Sequence, residues 1–201
     1  MSKMKTKKVS VNIPPSVPRQ GNKLTRFLFM APLRMAGWRI DGALPDTPKF
    51  VAIGAPHTSN WDFLVAMAVI FGLGVAISWM GKHTFVNGPL KPLLLRMGGV
   101  PIDRRAPGGV VGQMIEKFNR EEKFIVAIAP EGTRSKVDRW KTGFYHIAVG
   151  ANVPIVPIAL DYKRKLVRFL PAFYPTGDVK ADLPKIQALY TVFQGKNPEK
   201  F

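Results

Sequence analysis

The chain of 201 residues contains no cysteine. That excludes disulfides, thiolate metal ligands and a cysteine nucleophile, and it says little about compartment. Histidine is almost as scarce, with three residues at 57, 83 and 146. There is no His-Glu-x-x-His segment, so a histidine-based zinc site is disfavoured and no metal is expected. No Gly-x-Ser-x-Gly elbow occurs, which argues against a serine hydrolase of that type. Acidic residues are few: thirteen face thirty Lys and Arg, for a net charge of +17. Such a surface favours polyanions, whether nucleic acid, an anionic bilayer or acidic substrates. The basic residues are not interleaved with aromatics as in a single-strand binding groove, which disfavours nucleic acid.

The length suits one domain with a full core. No secretory signal is evident at residues 1–22, which are basic and Pro-containing and read as a disordered cationic tail. Residues 23–39 read as an amphipathic helix, with Leu24, Phe27, Leu28, Ala31, Met35 and Trp38 on one stripe. Phe29 and Leu33 lie on the opposite side, and Pro32 should kink or interrupt the helix. This segment fits either the bilayer interface or ordinary packing across the domain.

Residues 40–201 are expected to form the main domain. Phe63 to Gly81 carries no charged side chain, and its length approaches a membrane span. Gly72-Leu73-Gly74 splits it into a buried helix over 63–71 and a strand over 75–79. Further strands are expected at 50–54, 100–102, 124–128, 154–160 and 165–170, the last two antiparallel. Helices are expected at 89–97, 110–120, 142–149 and 183–193. Alternating strands and helices imply an α/β fold: a single domain with a largely parallel central sheet flanked by helices, preceded by the N-terminal amphipathic helix. In such folds sites collect in the loops past the strands.

Four segments carry the chemistry. In His57-Thr58-Ser59-Asn60-Trp61-Asp62, a continuous helix would set His57 and Asp62 about 140° apart. The pair can meet only if His57 lies in a loop and Asp62 in the first helical turn, with Ser59 or Asn60 capping. Asp62 would then orient the imidazole and leave its other nitrogen free as a general base. Alternatively, His57 is a hydrogen-bonding loop residue. Asp103 and Arg104 end the second segment, Gly98 to Arg104. Glu131, Gly132, Thr133 and Arg134 form the third. Arginine grips phosphate through two parallel hydrogen bonds, and either arginine could equally sit in a surface salt bridge. Asp103 and Glu131 can hold those guanidiniums or bind a substrate hydroxyl. Lys141 can add charge, and Gly132 allows close backbone approach. Val153 to Ile158 is the fourth segment.

In this order and approximate spacing, the four segments resemble the PlsC-type glycerophospholipid acyltransferase family over about residues 50–160. His57 and Asp62 match its His-x4-Asp motif, with Ser59 at a commonly hydroxylated position. Gly99 to Arg104 matches the block ending Ile-Asp-Arg, Glu131 to Arg134 matches Glu-Gly-Thr-Arg, and Val153 to Ile158 matches Val-Pro-Ile-Val-Pro. Ala129 departs from the family's usual Phe.

The resemblance implies a glycerol-3-phosphate acyltransferase-like fold and an O-acyltransferase. It would move a fatty acyl group from acyl-CoA or acyl-ACP (acyl carrier protein) to the hydroxyl of 1-acyl-sn-glycerol-3-phosphate, another lysolipid or a lyso-ornithine lipid. It implies no cofactor and no acyl-enzyme. His57 and Asp62 would act as the base pair, and Arg104, Glu131, Gly132, Thr133 and Arg134 would bind the acceptor. The expected location is peripheral or monotopic, on the cytoplasmic face of an anionic membrane. A non-enzymatic binder of anionic lipid or nucleic acid is the competing reading.

Overall fold

A computed structural model describes residues 11–82, 91–103 and 108–201. His83 and Arg104 lie outside them. The elements in chain order are α1 (Lys23–Met35), β1 (Arg39–Gly42), β2 (Lys49–Ala55), α2 (Trp61–Leu73), β3 (Ser78–Lys82), α3 (Lys91–Arg96) and β4 (Gly99–Ile102). There follow α4 (Gly109–Arg120), β5 (Phe124–Ile128), α5 (Gly143–Gly150), β6 (Ile155–Asp161), β7 (Leu166–Phe169) and α6 (Val179–Ala188), with a 3-10 turn at Pro198–Lys200.

The strands make one sheet in the order β1-β7-β6-β2-β5-β3-β4. The five strands from β6 to β4 run parallel. β7 is antiparallel to β6, as the polar turn between them predicts, and β1 is parallel to β7. β2 lies near the middle and is apolar on both sides, as a strand covered on both faces must be. Its side chains alternate between two cores. Val51, Ile53 and Ala55 join Phe118, Phe144, Tyr145 and Tyr190 beneath α4, α5 and α6. Phe50 and Ala52 join Leu33, Val65, Val69 and Ile70 beneath α1 and α2. A cavity of about 70 Å³ remains on that second side, walled by Gly54, Val65, Val69, Ile77 and Ile158 among others.

Several boundaries differ from the sequence reading. α1 ends at Met35 rather than Arg39, because Gly37 turns left-handed (φ +81°) and Arg39 pairs with Leu166 as the start of β1. Pro32 sits inside an otherwise continuous helix. The stripe named above faces outward at Leu24, Phe27, Leu28 and Met35. It is the opposite side that packs: Leu33 is buried, and Phe29 stacks on Phe71 of α2 with centroids 4.9 Å apart.

Residues 11–22 are not a free tail. Val17 is buried, Asn12 bridges to Ala43 and Arg19 to Val75, so this part of the expected tail folds onto the sheet domain. β3 starts at Ser78, three residues later than expected. Gly74 caps α2 in the left-handed region, and Val75 and Ala76 bond to the 18–19 segment instead. α6 begins at Val179, where the Asp178 carboxylate accepts from Lys180 N and Ala181 N. It ends at Ala188, well before Phe193.

Candidate active site

The carboxyl ends of β6, β2 and β5 lie side by side, and the chain leaving each contributes to one site. β2 is followed by His57, β5 by Glu131 and β6 by Tyr162. This is where an open parallel sheet normally places its ligand.

His57 lies in the loop and Asp62 in the first turn of α2, as the spacing requires. The imidazole Nδ1 is 3.1 Å from Asp62 Oδ2, with the histidine side chain 25 % exposed and the aspartate 3 %. The capping differs from expectation. Asn60 is the N-cap but makes no side-chain capping bond. Instead the Asp62 carboxylate reaches back: Oδ2 accepts Thr58 N–H at 2.7 Å and Ser59 N–H at 2.9 Å. Ser59 Oγ accepts from Trp61 N, so this hydroxyl is structural in the loop. Tyr162 donates its hydroxyl to Asp62 Oδ1 at 2.7 Å.

Burial alone would raise the Asp62 carboxyl. Hydrogen bonds from His57, Tyr162, Ser59 and Thr58 outweigh it and hold the group below the ordinary aspartate range. Asp62 therefore stays ionised, accepts the Nδ1 proton, and leaves His57 Nε2 as the free basic atom.

The 131–134 turn closes against the same loop at two points. Glu131 Oε1 accepts the His57 backbone N–H at 2.9 Å, and Arg134 donates to Asn60 Oδ1. Glu131 is 3 % exposed, and its Oε2 has no hydrogen-bond partner among the described residues. Burial pushes its carboxyl above the usual glutamate range, opposed by the His57 N–H. This unpartnered, buried oxygen is an acceptor for any hydroxyl that reaches it.

Gly132 is left-handed (φ +66°), and a Cβ there would meet the Lys141 stem at 2.8 Å. This close approach explains the glycine and brings Lys141 beside the turn. Thr133 and Arg134 are exposed, open to a ligand from solvent. Asp103 lies at the end of β4, where its backbone N–H and C=O bond the Gln113 side chain. Arg104, expected to join the site, is outside the described residues.

Sequence reasoning missed three contributors. Tyr162 follows the fourth segment by four residues and could have been suspected as the residue past a strand neighbouring β2. Thr58 and Asn197 left no local signal. Asn197 N donates to Thr58 Oγ1 at 3.1 Å, and Asn197 Nδ2 to Thr58 O at 2.8 Å. Gly195 packs so closely that a Cβ would meet Thr58 Oγ1 at 2.7 Å. The Lys196 ammonium rests 4.8 Å from the Trp61 ring centroid. Among the described residues, no group of three or more His, Asp or Glu is arranged to hold a metal ion.

The family model described as Acyltransferase matches residues 41–161. The 1-acyl-sn-glycerol-3-phosphate acyltransferase of Escherichia coli (strain K12) is 31% identical over 113 residues, covering 53% of this chain and 45% of that protein. The alpha enzyme of the same name from Mus musculus is 30% identical over 162 residues, covering 73% and 55%. The chain thus spans about half the length of these curated relatives. In three dimensions it is similar to the crystal structure of the 1-acyl-sn-glycerophosphate (LPA) acyltransferase PlsC from Thermotoga maritima. The TM-score is 0.59 at 20% identity, over 83% of this chain and 75% of that one, which establishes a shared fold. With the family model spanning more than half the chain and the His-x4-Asp and Glu-Gly-Thr-Arg segments meeting in one site, the chain belongs to the PlsC-type acyltransferase family.

Proposed function

We propose that the chain transfers a fatty acyl group from acyl-CoA or acyl-ACP to the free hydroxyl of 1-acyl-sn-glycerol-3-phosphate, giving phosphatidic acid. The observation that carries this reading is the His57–Asp62 pair, its carboxylate held ionised and its loop locked to the Glu131 turn. His57 Nε2 removes the hydroxyl proton as the oxygen attacks the thioester carbonyl carbon. The tetrahedral intermediate collapses, the C–S bond breaks, and the imidazolium returns the proton to the departing thiolate. No covalent enzyme intermediate is needed. Glu131 Oε2 accepts a hydrogen bond from an acceptor hydroxyl, and Arg134, Lys141 and Arg104 bind the phosphate. The relatives' names support this choice of acceptor.

The test is mass spectrometry of lipids after incubation with acyl-CoA and a mixture of lysolipids. Phosphatidic acid should be the main product. A product from another lysolipid or from lyso-ornithine lipid would replace the acceptor. No acylated product with either acyl-CoA or acyl-ACP, combined with salt-sensitive binding to vesicles or DNA, would make the protein a binder instead.

The acceptor's chemistry calls for work at a membrane surface, and we propose peripheral attachment at the cytoplasmic face through α1. Phe27 is 68 % and Leu28 57 % exposed, with Leu24, Met35, Trp61 and Leu64 also exposed. Arg34 lies in the helix's last turn, and the chain is strongly cationic. Among the described residues no helix is long and apolar enough to cross a bilayer. Burying Phe27 and Leu28 contributes about 1.5–3 kcal/mol each. The double substitution Phe27→Ser and Leu28→Ser should therefore cut co-flotation with anionic vesicles at least about 10-fold. Undiminished flotation of the folded variant removes α1 as the contact.

A further inference from the structure

We propose that Tyr162 is a positioning residue of the acyl-transfer site, holding Asp62 through Oδ1 so that Oδ2 stays turned toward His57. The inference rests on His57 being the base. Asp62 Oδ2 already takes the His57 ring and the Thr58 and Ser59 amides. Oδ1 takes the Tyr162 hydroxyl. Without that donor, Oδ1 would be an unpaired acceptor on a buried carboxylate, and rotation about the Cβ–Cγ bond would relieve it at the expense of the His57 contact.

Tyr162 is itself fixed from three sides. Its N–H donates to Gln194 O at 2.9 Å. Its ring meets Trp38 edge-on at 5.0 Å. The Lys196 ammonium lies 6.0 Å from its centroid. Burial and the Asp62 carboxylate push the phenol far above its usual range, so it remains a donor at every working pH.

With Oδ2 held on Nδ1, the Asp62 charge faces the imidazole, and letting it turn away removes that stabilisation from the imidazolium. Among the described residues, the charged and titratable groups around the His57–Asp62 pair are Glu131 after β5, Tyr162 after β6 and Lys196 after α6. Tyr162→Phe keeps the ring and changes only one of them.

The experiment is an NMR titration of the His57 ring protons, assigned by their loss in the His57→Ala protein, alongside pH profiles of kcat/KM. Only three histidines need to be resolved. In Tyr162→Phe the midpoint and the acid limb should both fall by roughly 0.5–1 pH unit, because Oδ2 no longer faces the imidazolium. kcat should fall roughly 10-fold with KM for both substrates unchanged. Incorporating 4-fluorophenylalanine at 162, which fills the hydroxyl's space but cannot donate, should lower the midpoint likewise, and it serves if the Phe variant does not fold. An unmoved midpoint in the folded Phe variant, or in the fluorinated protein, overturns the proposal. The titration needs no turnover, so it separates a failure at Tyr162 from a failure of the base assignment, which would show as activity in His57→Ala.

Discussion

His57→Ala should lower kcat by about 10²–10⁴-fold, the range a positioned general base supplies. KM should change little, because the groups proposed to bind the acceptor are Glu131, Arg134, Lys141 and Arg104 rather than His57. The fold should survive. The imidazole is partly exposed, and Asp62 keeps three other donors in Tyr162, Thr58 and Ser59. Losing one of four bonds to a carboxylate that retains the rest should shift stability by no more than about 1–3 kcal/mol. Thiol release from acyl-CoA, measured with a urea denaturation curve on the same preparation, separates the two effects. Wild-type turnover in a folded His57→Ala protein would remove His57 as the base.

The largest stability effect is expected at Gly42→Ala. Gly42 ends β1 with φ +104°, a region that L side chains avoid. A Cβ there would press into the Phe169 peptide, with the carbonyl carbon at 2.9 Å. Phe169 cannot retreat, since it is the register partner of both Gly42 and Ile158. Gly42 O also accepts Asn12 N–H, which ties down the 11–22 segment. Backbone strain and a backbone collision coincide, so the loss should reach about 4 kcal/mol or more. The urea midpoint reads it directly. A midpoint equal to wild type would mean that β1 does not pair with β7 in this register.

The central strands were legible because each is a short apolar run that no exposed element could carry. Phe50 to Ile53, Phe124 to Ile128 and Ile155 to Leu160 are of this kind. β1 was not, since Arg39-Ile40-Asp41-Gly42 has one apolar residue and takes its identity from a partner 127 positions away. The fate of α1's two apolar sides depended on α2, which takes Phe29 and leaves Phe27 exposed. At the site, the His57–Asp62 contact followed from spacing, whereas the capping did not, since Asp62 itself accepts the loop amides. The Glu131–His57 and Arg134–Asn60 bonds cross 74 positions each, and no local pattern encodes which atoms meet. Asn197 is the extreme case: an ordinary polar residue until the chain after α6 returns to Thr58.

That return has a consequence for how competence arises. The contacts around Thr58 and Asp62 join positions separated by 74, 100 and 139 residues, so no isolated fragment can assemble this cluster. Long loops must close before any of these bonds forms. Regain of turnover on dilution from denaturant should therefore trail secondary-structure recovery and coincide with the last tertiary docking step.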